Sequence, residues 1–376
     1  MENIPSLNKN QLENIKNFKY VGSNESIVYN YLVSPFLNKL LDLGLVPEWV
    51  APNLLTVLSL IFNLGFLFVI IETGNDFSCK ISCMTTLVIT ITHYLYIIFD
   101  NLDGKQARKT KTSSSFGMLL DHGCDVFTNM CVLLNVSHLC RLGNESIFVD
   151  FLFFTLYLGF FTTIYEEYLL GEMHLGIING PDEGNFFIAT GTLVAFILGN
   201  DFWIYKIKYI GMTIGEFVVF INMIASFSTA TIPLFYHVYK KKGIKKIYEL
   251  LFDFALFCHI ILFPGFYLYL YKEYYARNLT LIIFFISALY SKIIIYLQLC
   301  ICTGDKNKLF KDIIISSILI FVNFFIGNEK FLIYSCIFST VYVGTNLFKL
   351  IFIRSNEILN YLNIKFLVIP YNKKEK

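Results

Sequence analysis

Four aspartates carry the chemistry that the sequence offers first. Asp100 and Asp103 are three residues apart, and Asp121 and Asp125 are four apart, each pair on the edge of an apolar run. On a helix either spacing puts both carboxylates on one face, about 5–6 Å apart at Cβ. Two such pairs facing each other make an oxygen cage suited to a hard divalent cation such as Mg²⁺. Without a cation, four packed carboxylates repel one another. The segment between them, FDNLDGKQARKTKTSSSFGMLLDHGCD, adds the small residues Gly104, Ala107 and Gly117 and the basic residues Lys105, Arg108 and Lys109. Small residues leave room for a ligand to approach the backbone, and basic residues at the same mouth suit a phosphate. Gly117, Asp121, Asp125 and Asn129 continue as one stripe at four-residue intervals. Together these residues point to metal-assisted phosphoryl transfer.

The elements that must hold this cage are membrane helices. The 376 residues are 56% hydrophobic and 15% charged, with a mean hydropathy of +0.60. Soluble domains run about 45–50% apolar and about 25% charged. A soluble fold of this size cannot hide such an apolar excess, so soluble-enzyme, disordered and nucleic-acid-binding classes are set aside. The formal net charge of +2 selects no acidic partner. Nine scattered cysteines read as small buried hydrophobes, not as a disulfide framework or a zinc site. No cleavable leader is evident in the first 50 residues, so the first span is expected to serve as its own signal.

A bilayer span needs roughly 20 predominantly apolar residues. Ten windows qualify, at about 54–72, 81–99, 117–139, 148–170, 185–200, 215–239, 249–271, 278–302, 312–327 and 331–353. The fifth and ninth are short. The expected fold class is therefore all-α, a polytopic membrane protein of about ten transmembrane helices. Most of the 30 Lys and Arg fall on the side that holds both termini, which the positive-inside rule makes cytoplasmic. The same side holds the aspartates. Residues 1–50 read as a cytoplasmic N-terminal segment whose 25–45 stretch is amphipathic and interfacial. Residues 51–240 read as the catalytic helical core, 241–353 as additional spans, and 354–376 as a solvated cytoplasmic tail. Charged groups deep in a membrane cost about 2.5–3.5 kcal/mol each on insertion scales and tend to be functional. A cation transporter would also place acids in a membrane, but near its midplane and on broken helices. Here they cluster at one end beside a basic loop.

The pattern D-x2-D-G-x2-A-R-x8-G-x3-D-x3-D is complete as Asp100, Asp103, Gly104, Ala107, Arg108, Gly117, Asp121 and Asp125. It resembles the CDP-alcohol phosphotransferases, integral membrane enzymes of phospholipid synthesis. The extended forms DNLDGKQAR and DHGCD are similar to the eukaryotic choline/ethanolamine phosphotransferase branch. So are Ala51-Pro52-Asn53 with Thr56, and Glu166-Glu167-Tyr168 followed by Asn179-Gly180-Pro181 and Glu183-Gly184.

The resemblance implies a CDP-alcohol phosphotransferase core that moves phosphocholine or phosphoethanolamine from CDP-choline or CDP-ethanolamine to diacylglycerol, releasing CMP. It implies Mg²⁺ (or Mn²⁺) held by Asp100, Asp103, Asp121 and Asp125, and a homodimer in the endoplasmic reticulum or Golgi. Gly104, Ala107 and Gly117 are expected to line the cytidine pocket, and Arg108 to contact phosphate or hold an aspartate. Asn53 is expected to contact nucleotide or to cap the first span. Two residues compete as general base, His122 and Asp125. An imidazole titrates nearer physiological pH, and the branch resemblance also favours His122. Glu166, Glu167 and Tyr168 either support metal or head group, since a quaternary ammonium prefers aromatic faces and carboxylates, or belong to a solvated loop. His93, His138, His237 and His259 lack acidic sequence neighbours and read as core or interface residues. Within the same family, an enzyme using a lipid-linked CDP donor, such as phosphatidylinositol synthase, is the alternative.

Overall fold

The computed structural model describes residues 4–306, 318, 322 and 325–369. The chain begins with helix α1 (Lys9–Asn17), closed by a capping box between Asn8 and Gln11. A short strand β1 (Gly22–Asn24) follows, then a π turn (Tyr29–Val33) that runs into α2 (Ser34–Asp42). As the sequence leads one to expect, this stretch is amphipathic: Val28, Leu37 and Leu41 are buried while Tyr31, Leu32, Phe36, Leu43 and Leu45 are exposed.

Helix α3 (Pro52–Asn63) starts with proline at its first position, where no amide hydrogen is needed. It continues through α4 (Phe66–Thr73). Helix α5 (Cys83–Lys109) is capped by Ser82, and α6 (Ser115–Leu139) by Ser114, whose hydroxyl accepts the Gly117 amide at 3.0 Å. Between them, Lys111 takes a left-handed conformation at φ 57° in the turn, and α3 packs against both aspartate-bearing helices. Helix α7 (Ile147–Leu170) ends at Gly171 and leads to strand β2 (Met173–Leu175). Then come a π turn (Gly180–Gly184), α8 (Asn185–Leu198), α9 (Ile214–Ser226), α10 (Ile232–Lys242), α11 (Ile244–Leu270), α12 (Lys272–Thr303) and α13 (Glu329–Leu362).

Among the described residues, six helices are long and apolar enough to cross a membrane: Pro52–Thr73, Cys83–Lys109, Ile147–Leu170, Ile214–Lys242, Lys272–Thr303 and Glu329–Leu362. Six of the ten expected spans are thus supported. Helix α6 has 25 residues but falls outside that set, because Asp121, His122, Asp125 and Asn129 lower its hydropathy. The 27-residue α11 also falls outside it, and α8, with 14 residues, is too short. The expected span 312–327 lies almost wholly outside the described residues.

The core is built from α6, α7 and α12, with Leu133, Tyr157, Phe161, Ile164, Tyr290 and Ile294 fully buried. In a bilayer lipid is as apolar as leucine, so close packing and interhelical hydrogen bonds hold helices together instead of water exclusion. The Tyr157 and Ser287 hydroxyls meet at 2.7 Å, and Phe161 stacks on Phe257 at 3.9 Å between centroids. Six of the nine cysteines are buried (Cys124, Cys131, Cys140, Cys300, Cys302 and Cys336), whereas Cys79 and Cys258 are half-buried and Cys83 is exposed, so not all are the buried hydrophobes expected.

One expectation for the ends of the chain is corrected. The described parts of the termini are not solvated tails: Ile15 of α1 and Ile358 of α13 are buried together with Phe116 and Cys302, and Arg354 donates to the Pro5 carbonyl at 3.0 Å. The fold is all-α as expected, with one small two-stranded sheet among the described residues, in which β1 pairs in parallel with β2, Ser23 opposite His174.

Candidate active site

Helices α3, α5, α6 and α8 pack around the aspartates. Asp100, Asp121 and Asp125 each offer a carboxylate oxygen, and these atoms all lie within 4.8 Å of one another. No ion pair ties any of the three to the neighbouring Lys105, Arg108, Lys109 or His122. An all-oxygen, all-anionic donor set of this kind fits a hard divalent cation. Asp103 neighbours Asp100 and Asp121 but is engaged differently. It is buried and accepts a hydrogen bond from the Thr56 hydroxyl. Thr56 therefore does not serve the capping turn. The helix cap is Ala51, and Asn53 donates to the Phe366 carbonyl at 2.7 Å. Asn53 faces Gly117: a Cβ there would sit 3.5 Å from the Asn53 Oδ1.

The basic loop divides its work. Lys105 donates to Ser34 and Asn38, each at 2.8 Å, and Lys109 donates to the Leu41 carbonyl at 2.9 Å. Both ammonium groups thus anchor α2, contrary to the expectation that all three bases gather for a phosphate. Arg108 is exposed, lies over Gly104, and has no ion pair among the described residues. Ala107 is half-buried one residue away. Gln106 is buried and ties the carbonyls of Pro47 and Val50.

His122 is buried with its Nδ1 unpaired, and the Tyr20 ring stands edge-on to it at 6.1 Å between centroids. Burial, helped by the nearby Glu167 and Asp121 carboxylates, pushes the Tyr20 hydroxyl well above the ordinary tyrosine range. The solvated-loop reading of residues 166–184 is corrected. Glu166, Glu167, Asp182 and Glu183 are all buried. Glu166 pairs with His237 at 2.7 Å, so His237 does have an acidic neighbour, supplied by a helix 71 residues away. Glu167 keeps Oε2 unpaired. Glu183 accepts from Ser26 and the Val28 amide, and Asp182 from Asn24. Only Glu172 stays exposed, paired with Lys241. Tyr168 packs partly buried against the core beside Tyr165.

Tyr20, Asn24 and Ser26 belong to the site region without having been singled out by sequence. They sit before or at the very start of the amphipathic stretch, where the sequence is polar and has no periodicity, and the β1–β2 pairing brings this segment to the turn after α7. Asn144 donates to the carbonyls of Asn75 and Ala276, and Asn278 donates to Glu329 at 3.0 Å.

Residues 49–166 match the CDP-alcohol phosphatidyltransferase family. The chain therefore carries a CDP-alcohol phosphatidyltransferase domain, and proteins of this family are membrane transferases of phospholipid biosynthesis that use divalent metals. It is 36% identical over 200 residues to an uncharacterized CDP-alcohol phosphatidyltransferase class-I family protein 3 of Dictyostelium discoideum, covering 53% of this chain and 50% of that protein. It is 30% identical over 196 residues to choline/ethanolaminephosphotransferase 2 of Arabidopsis thaliana, covering 50% and 47%. It is 31% identical over 192 residues to a CDP-diacylglycerol–serine O-phosphatidyltransferase of Encephalitozoon cuniculi, covering 50% and 48%. The chain spans about half the length of the curated relatives it matches.

Proposed function

We propose that the protein transfers phosphocholine, phosphoethanolamine or both from the CDP-alcohol to diacylglycerol and releases CMP. The observation that carries this reading is the group of three carboxylates within 4.8 Å of one another, on the helix pair that the family match covers. Asp100, Asp121 and Asp125 hold a divalent cation, Mg²⁺ or Mn²⁺, with Asp103 fixed beside them by Thr56. Bound there, the cation neutralises the pyrophosphate and stabilises charge on the departing CMP.

His122 takes the proton of the acceptor hydroxyl. The freed oxygen attacks the phosphorus that bears the alcohol, a new P–O bond forms, and the P–O bond to CMP breaks with its electron pair leaving on CMP. Asp125 is the second choice for base. Arg108, Asn53, Gly104, Ala107 and Gly117 receive the CDP moiety, with Arg108 supplying the free positive charge. Glu166, Glu167 and Tyr168 support the cationic head group. The protein acts as a homodimer in the endoplasmic reticulum or Golgi membrane, with the site and both termini cytoplasmic.

The test is CMP release by purified protein given diacylglycerol, Mg²⁺ and either CDP-choline or CDP-ethanolamine. Release with one or both donors, lost in Asp121→Ala, supports the reading. A second reading is favoured by the serine-transferring relative: a lipid-linked CDP donor with a small polar acceptor. CMP release from CDP-diacylglycerol with serine or inositol, and none from either CDP-amine, would establish it instead.

A further inference from the structure

Helix α12 lies far outside the matched family region, yet it covers the side of the site on which His122 stands. It packs along α6, and two contacts fix its register. Near one end Cys302 shares a buried cluster with Phe116. Further in, Tyr290 is a side-chain neighbour of Asn129 and feels the Asp125 charge. The two helices therefore run antiparallel, and both stretches are about 18–20 Å long at 1.5 Å per residue. Interpolation puts residue 298 level with about residue 120, roughly 3 Å in depth from His122.

The faces agree with the depth. Successive residues advance about 100° around a helix, so His122 falls within the arc of α6 bounded by Phe116 and Asn129. Gln298 falls within the arc of α12 bounded by Tyr290 and Cys302.

Gln298 is 1% exposed, and neither its amide nitrogen nor its oxygen has a hydrogen-bond partner among the described residues. Among the described residues His122 is buried with Nδ1 unpaired, and Glu167, whose carboxylate acts on Cys302 of α12, keeps Oε2 unpaired. A buried amide left without partners is costly, and native folds avoid it unless a ligand or water completes the site. Beside Gln298 on α12, Ile294 and Leu297 are fully buried. One unpartnered amide in a largely apolar helix interface, within about half a turn of the proposed base in depth, matches a molecule that is mostly hydrocarbon with a small polar end.

We propose that Gln298 binds the glycerol end of the lipid acceptor. Its amide nitrogen donates one hydrogen to an ester carbonyl and the other to the oxygen of the acceptor's free hydroxyl, which holds that hydroxyl with its single proton directed at His122. This inference rests on the transferase reading and adds to it a specificity residue contributed by the C-terminal helices.

The test compares wild type with Gln298→Leu, of similar volume and no polar atoms, and with Gln298→Asn. Thermal melting and size-exclusion profiles of each identify folded protein. The expected result is a rise of tenfold or more in KM for diacylglycerol in mixed micelles for Gln298→Leu, a smaller rise for Gln298→Asn, and KM for the CDP-alcohol within twofold of wild type. A folded Gln298→Leu with unchanged KM for diacylglycerol, or with both KM values raised alike, overturns the proposal; a trapped water then completes the amide. A second readout does not need turnover: dioctanoylglycerol should raise the melting temperature of wild type and not that of Gln298→Leu. If wild type releases no CMP, the transferase reading fails, and this binding comparison alone decides the role of Gln298. Equal shifts in the two proteins reject it.

Discussion

Ser26 donates its hydroxyl to the Glu183 carboxylate at 2.7 Å, across 157 residues of chain, with both side chains buried. The same carboxylate accepts the Val28 amide at 3.1 Å and the Asn179 amide at 3.0 Å. One glutamate thus fastens the N-terminal segment to the turn after α7 and keeps Tyr20 seated beside His122. Replacing Glu183 by Ala leaves three buried donors without acceptors. Each such loss costs about 1–3 kcal/mol. Glu183→Ala is expected to lower the melting temperature and to expose residues 18–28 to limited proteolysis, while Ser26→Ala gives a smaller shift in the same direction. Protease resistance equal to wild type in Glu183→Ala would show that the fastening lies elsewhere.

Arg108 and Lys105 are three residues apart and belong to different tasks. Lys105 is spent on Ser34 and Asn38 of α2, whereas Arg108 remains exposed with no ion pair among the described residues. Arg108→Ala is expected to raise KM for the CDP-alcohol about tenfold, roughly the 1.4 kcal/mol of one charge-assisted contact. Lys105→Ala should leave that KM near wild type and loosen α2 instead, visible as lower thermal stability. Steady-state kinetics on both variants checks the division, and equal effects on KM would contradict it.

Gly215 packs against the end of α6 so closely that a Cβ there would lie 2.7 Å from the Cys140 Cβ and 2.9 Å from its carbonyl oxygen. Backbone cannot give way as a side chain can. Gly215→Ala is expected to cost about 1–3 kcal/mol by forcing α9 away from α6. A detergent-solubilised melt reads this directly, and Gly123→Ala, with nothing within 4 Å of the added carbon, serves as the matched control.

Burial raises the Asp182 carboxyl above the ordinary aspartate range despite the donors Asn24 and Asn179. A carboxyl whose folded value is raised contributes stability below its unfolded value, near ~3.9. That stability is lost as pH climbs through the folded value. Asp182→Asn removes the titration. The melting temperature of wild type minus that of the variant is therefore expected to fall as pH rises across that window. A difference that is flat or grows with pH would contradict the assignment.

Part of this site was legible from spacing alone. The intervals of three and four put each aspartate pair on one helix face, and the meeting of Asp100 with Asp121 and Asp125 takes place where α3 packs against both helices, which spacing alone does not show. The amphipathic stretch before the first span was equally readable from its apolar positions. The partners of Asn53 and Thr56, Phe366 and Asp103, lie 313 and 47 residues away, and local sequence alone, which offered a cap for Asn53, does not reveal them. Glu166, Asp182 and Glu183 looked solvated because acids between helices usually are. Their partners His237, Asn24 and Ser26 come from separate elements, and no periodicity connects them. Gln298 gave no signal at all, since one amide in an apolar run reads as incidental until the facing helix is known.

The central claim is that the aspartate cluster holds the cation on which transfer of the phosphoalcohol depends. The most direct measurement is CMP release by the purified protein with CDP-choline or CDP-ethanolamine and diacylglycerol, before chelation, after chelation and after Mg²⁺ is restored, with folded Asp121→Ala alongside. The account predicts release that stops on chelation, returns with Mg²⁺ and is lost in Asp121→Ala by at least a hundredfold. Release that persists in the chelated protein, or in folded Asp121→Ala, would contradict it.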